Sequence, residues 1–138
     1  MGSALPSVAG SLGAVRPIET KLKTWILRKN MSNPVFLIAQ IDVKDYETYL
    51  TQYGFPLLHQ LTEIGAEVLA ADSSFKLLEG AWSGNWIAII KFPSEKVMSE
   101  FYTSEKYAPL KTLRIEQLSN EGTVVVVPGI GNGQYQRS

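Results

Sequence analysis

The fold class that this sequence predicts is α+β, a ferredoxin-like split βαβ domain with an antiparallel sheet. Three observations predict it. Apolar residues recur first at period two and then at three to four, in the order strand, helix, strand pair, helix, strand. Hydrophobic residues make up 45% and aromatic residues 10% of 138, enough to build one core in one domain. There are no cysteines and one histidine, so disulfides, zinc clusters, iron–sulfur sites and thiol catalysis are excluded together.

Each element has its own signature. In residues 35–43, Val35, Leu37, Ala39 and Ile41 share one face of a strand, with Phe36, Ile38, Gln40 and Asp42 on the other. Asp45 is placed to cap a helix, and Glu47 suits the positive end of its dipole. The stripe Tyr46, Tyr49, Leu50, Tyr53, Leu57, Leu61, Ile64 marks the buried side of that helix. Gly54 and Pro56 are expected to interrupt and kink it, and Gly65 to end it. Residues 66–71 and 75–80 are expected as two short strands, or one strand bent at Asp72-Ser73-Ser74. After a turn at 82–85, residues 85–92 read as a strand covered on both faces, being almost wholly apolar. Ser94 caps a second helix carrying Val97, Met98, Phe101 and Tyr102. A break near Thr103-Ser104 leads to a further helical piece with Tyr107, Leu110, Leu113 and Leu118. A turn at 120–122 and a strand at 123–127 close the domain.

Thirteen basic residues balance thirteen acidic ones, which argues against a nucleic-acid partner. The balance hides an asymmetry, since Arg16, Lys21, Lys23, Arg28 and Lys29 face only Glu19 among the first thirty residues. Residues 1–33 are therefore expected to be an N-terminal extension, flexible or non-native, ahead of a domain at 34–128 and a flexible Gly-rich tail at 129–138. For the extension three origins stand open: foreign sequence ahead of Met31, a transit segment, or a native tail that docks on a partner. No apolar run suits a secretory signal or a membrane span, so a cytoplasmic protein is expected. With both helices on one face of the sheet, the other face needs cover, and a homodimer is the simple way to supply it.

The run from Pro34 to Ile41, then Asp45 with Tyr49, and Leu78-Glu79-Gly80-Ala81-Trp82 resemble the family called domain of unknown function 1330. Ile90-Lys91-Phe92-Pro93-Ser94, Phe101-Tyr102-Thr103-Ser104, Tyr107 with Leu110, and Leu113-Arg114 extend the resemblance over roughly residues 34–128. It implies a subunit that pairs into a dimeric α+β barrel, and it implies no activity. The sequence departs from the family pattern at Ile64-Gly65-Ala66-Glu67, at Gln40 where a Glu is usual, and near Asn85 where an Arg is common. Gln40 cannot exchange a proton near neutral pH.

Few residues can carry chemistry. His59 lies off the buried helical stripe and reads as a surface histidine, so haem ligation would need it to turn toward a pocket. Glu79 alternates with Phe75 and Leu77; on an apolar strand face its pKa would rise, suiting it to catalysis as acid or base. Its competing role is an ion pair with Arg114 or a cap near Gly80. Gln40 and Asp42 could supply polar groups to the same cavity. Tyr49, Trp82, Trp86, Tyr102 and Tyr107, with Tyr46 and Tyr53, are either core or the lining of a cleft for a flat, ring-bearing ligand. Gly129, Gly131 and Gly133 open no helix, so they form no phosphate loop, and Asp42, Asp45 and Glu47 lack calcium-loop spacing. Neither a cofactor nor a metal is expected.

Two functional readings follow. One is a small-molecule-binding barrel with Glu79 as its catalytic group, acting by analogy as a cofactor-independent isomerase or monooxygenase on a hydrophobic metabolite. The other is a non-catalytic dimerisation or accessory module that binds a protein partner.

Overall fold

Side-chain alternation along the first strand decides which way the sheet faces. In a computed structural model, which describes Lys21 and residues 33–130, strand β1 (Val35–Val43) buries Val35, Leu37, Ile41 and Val43 and leaves Phe36, Ile38, Gln40 and Asp42 partly exposed. The fold belongs to the unit Asn33–Ser138. The expectations for residues 1–32 and for the tail beyond residue 130 lie outside the described residues.

Four antiparallel strands form the sheet in the order β2-β3-β1-β4, where β2 is Glu67–Asp72, β3 is Trp86–Phe92 and β4 is Ser119–Pro128. This is the split βαβ order, with the first strand flanked by β3 and β4. Leu37 pairs with Ile90 on one side and Val126 on the other, so the helix-facing row runs unbroken across three strands. The opposite row, Ile89, Ile38 and Val125, is also apolar.

Helix α1 is one continuous helix in three parts: Tyr46–Tyr49, a π-helical stretch Leu50–Gly54, and Phe55–Glu63. Asp45 caps it by accepting from the Thr48 backbone N–H at 2.9 Å. The expected interruption takes the form of the π stretch, in which the Phe55 N–H reaches back to the Leu50 carbonyl. Pro56 then sits in the first turn of the next α-helical part, where its missing donor costs nothing. Gly65 ends the helix at φ +80°, a conformation that favours glycine. Ser94 caps helix α2 (Glu95–Tyr102), accepting from the Val97 N–H at 3.1 Å. Helix α3 (Ala108–Leu113) follows and runs on into a second π-helical stretch, Arg114–Leu118.

Three expectations differ from the structure. Residues 75–80 form no strand: Asp72 folds back to accept from the Ser73 N–H and Ser74 hydroxyl, Gly80 takes φ +83°, and the segment is an exposed loop. The anticipated turn at 120–122 is instead part of β4, where a bulge between Asp42 and Val43 absorbs the irregularity. Among the described residues, helices cover strand β3 on one face only, with Ile87, Ile89 and Lys91 partly exposed on the other.

Just before β3, the Asn85 side chain acts as a strand partner for Val43. Its Oδ1 accepts from the Val43 N–H at 2.7 Å and its Nδ2 donates to the Val43 carbonyl at 2.9 Å. The chain reaches this position through Gly84, at φ +99°, where a Cβ would fall 2.8 Å from the Ile41 carbonyl oxygen.

Candidate functional site

Between the helices and the sheet lies a cavity of about 390 Å³. Its floor is the helix-facing row of the sheet, with Leu37, Ala39, Ile41, Ala88 and Ile90; α1 and the α2–α3 segment form the walls. Phe55, Leu58 and Val68 line it and are exposed, so its mouth lies between α1 and the edge strand β2.

The two π-helical stretches supply two of its polar groups, and Tyr107, just before α3, supplies a third. One carries Tyr53 and the other begins at Arg114. Such stretches widen a helix by one residue per turn and rotate the side chains that follow, and they recur at functional sites. Tyr53 and Tyr107 hydroxyls meet at 2.6 Å. Arg114, only 5% exposed, places its guanidinium beside both tyrosines, 5.8 Å from the centre of the Tyr53 ring. Among the described residues no carboxylate lies within ion-pair distance of it, the ion pairs there being His59–Glu63, Lys96–Glu100 and Lys106–Glu63. Gly122 lies beside Arg114, and a Cβ there would fall 2.7 Å from Ile41 Cδ1.

Rings extend the site into a continuous aromatic lining. Trp86 packs on Tyr49 at 5.8 Å, Tyr49 on Tyr53 at 5.1 Å, and Tyr107 on Phe101 at 4.6 Å and Tyr102 at 5.7 Å. Burial pushes the Tyr49 and Tyr53 hydroxyls well above the ordinary phenol range, so they stay protonated and serve as donors at neutral pH. Burial works against the charge of Arg114, the facing Tyr53 and Tyr107 oxygens favour it, and the balance lies above the usual arginine value.

Of the residues singled out from sequence, the cavity brings together Tyr49, Trp86, Tyr102, Tyr107 and Arg114. It does not gather the others. Gln40 and Asp42 stand on the opposite face of β1, where Asp42 accepts from the Asn120 side chain at 3.0 Å. Trp82 packs on Phe75 at 5.6 Å in the loop after β2, and Glu79 is exposed in that same loop. The alternation that placed Glu79 on an apolar strand face therefore has no strand to act through. His59 is at the surface, paired with Glu63 at 3.4 Å, and does not line the cavity. Tyr53 was legible as one of the helical aromatics, but not as half of a hydroxyl pair, because its partner lies 54 residues away in sequence.

Among the described residues there is no cluster of three or more potential metal-ligating groups and no helix long and apolar enough to cross a membrane.

Two solved structures resemble this chain over most of its length. One is of the methylated RPA0582 protein, 12% identical, with a TM-score of 0.60, covering 82% of this chain and 93% of that one. The other is RPA0582 from Rhodopseudomonas palustris, a protein of unknown function, 13% identical, with a TM-score of 0.60, covering 80% and 93%. At such identity the likeness shows the fold. No curated protein matches the chain. The family model Domain of unknown function (DUF1330) matches residues 34–130, and the chain belongs to that family.

Proposed function

We propose that this member of the DUF1330 family is a homodimer that binds a small hydrophobic molecule in the cavity between its helices and sheet. The observation that supports this is the apolar, aromatic-lined cavity of about 390 Å³ with one concentrated polar feature, the Tyr53–Tyr107–Arg114 group. A structural core would fill such a space with side chains.

The dimer reading draws on the other face of the sheet. Phe36, Ile38, Ile87, Ile89, Val125 and Val127 form one apolar surface there, joined through the strand register. A second copy laid on that face would close the two sheets into a barrel. In that assembly we assign Gln40, Asp42 and Glu79 to the surfaces that the second copy brings under cover, where a carboxylate can work as acid or base. Of the two reactions considered from sequence, isomerisation suits the cavity better, since tyrosine hydroxyls hold an enolic oxygen without a cofactor. We place the protein in the cytoplasm. The accessory-module reading draws on the loop after β2, where Leu78 is 84% exposed and Phe75, Leu77 and Trp82 are exposed beside it.

Native mass spectrometry of freshly purified protein tests the proposal. A dimer carrying a small-molecule mass is the expected result. A monomer overturns the dimer, and a dimer without adduct that also takes up no small aromatic probe supports the accessory module instead.

A further inference from the structure

Resting on the reading of the cavity as a ligand site, the structure points to its ligand class. We infer that the cavity takes a flat, apolar molecule with an anionic oxygen at one end, a carboxylate or an enolate, seated on Arg114 and the Tyr53–Tyr107 pair.

The first ground is charge. A guanidinium at 5% exposure, in a cavity walled by Leu37, Ile41 and Trp86, is a cation without a counter-ion among the described residues. Burying a charge in this way is costly, and the two phenol oxygens compensate it only in part. An anion entering the cavity would complete the pairing. A neutral apolar ligand would leave the charge as it is.

Proton counting gives the second ground. Arginine has five N–H donors and no acceptor, so toward Arg114 both tyrosine oxygens can only accept. Between the two hydroxyls, 2.6 Å apart, one proton is shared. Two hydroxyls carry two protons, so one is left over, and nothing described in the protein takes it. The cluster therefore presents a surplus hydroxyl donor beside a buried positive charge, which selects an oxygen with lone pairs and a negative charge. Because Tyr53 stays protonated, it meets such an oxygen as a donor and not as a competing anion.

Shape supplies the third. Trp86, Tyr49, Tyr53, Tyr107 and Tyr102 form a run of adjoining rings in the cavity lining, and the small side chains Ala39, Ala71 and Ala88 lie there too. A planar body can stack on those rings while its oxygen reaches the hydroxyl pair.

A matched pair of probes tests this, read by quenching of Trp fluorescence or by calorimetry: 2-naphthoate and 2-naphthamide, which share a ring system and differ in charge. The wild-type dimer should bind the carboxylate about 10- to 100-fold more tightly than the amide. Arg114→Met should abolish that preference by weakening the carboxylate far more than the amide, and Tyr107→Phe should reduce it. Equal affinity for both probes in the wild type overturns the anion inference and leaves the cavity reading standing. Binding of neither probe overturns both. The wild-type comparison decides even if Arg114→Met fails to fold.

Discussion

At the scale of single residues, one side chain takes the place of backbone and another is a buried cation with no counter-ion among the described residues. Asn85 takes the place of a strand residue, satisfying both the N–H and the carbonyl of Val43 where β3 has not yet begun. Asn85→Ala removes both bonds and leaves partly buried backbone groups without partners. It should lower stability by about 1–3 kcal/mol, read as a shifted midpoint in urea unfolding with unchanged slope. A midpoint equal to that of the wild type would mean that water replaces the amide at no cost. Arg114 is the second case, and its identity was legible while its setting was not. Leu113-Arg114 was visible as a family resemblance, but the register of the π-helical stretch that turns Arg114 toward Tyr53 leaves no mark in a single sequence.

Elements were legible where one local rule decides them. Asp45 and Ser94 cap their helices through the Thr48 and Val97 N–H groups, because a short polar side chain in extended backbone has an orphan donor within reach. Hydrogen bonds from Thr48 hold the Asp45 carboxyl below the ordinary aspartate range. A depressed folded-state pKa means a contribution that is present above the unfolded pKa and lost as pH falls through the folded one. The stability gap between wild type and Asp45→Asn should therefore be full near neutrality and close on acidification, which thermal melts at several pH values would follow. A gap that stays constant down to strong acid would assign the effect to packing. Elements were illegible where side-chain geometry or a strand partner, and not the apolar pattern, decides them. Phe75, Leu77 and Glu79 alternate as a strand would, yet Asp72 and Gly80 turn the chain away and no strand forms. Conversely, Asn120-Glu121-Gly122 has turn chemistry, yet it pairs with β1 because Gly122 opposite Ile41 leaves space that a larger residue would fill.

For the whole molecule, the question is what covers the sheet. The described helices lie against the face that carries Leu37 and Ile90, and among the described residues no helix covers the face that carries Ile38 and Ile89. Ile38 is central in that uncovered face, paired with Ile89 and Val125. Ile38→Lys should weaken the proposed dimer at least tenfold, since a charge held against an apolar partner surface loses its water. Sedimentation at graded concentrations would read the shift toward monomer while circular dichroism confirms the fold. An unchanged dimer would place the contact on another surface. The face itself was anticipated from the order of elements alone, because two crossover helices on one side always leave the other bare.

The central position of β1 also sets an order of events during synthesis. β1 is the earliest strand of the sheet to be made, and β4, with which it pairs from Val35 to Val43, is the last. Until Val127 has left the ribosome, one whole edge of β1 has no partner, and the apolar run Val35, Phe36, Leu37, Ile38 waits in an incomplete sheet. Closure by a strand so distant in sequence is slow, because the loop must form before the contacts reward it. A nascent chain of this protein thus carries its stickiest segment longest, and its yield in the cell depends on what shelters β1 during that interval.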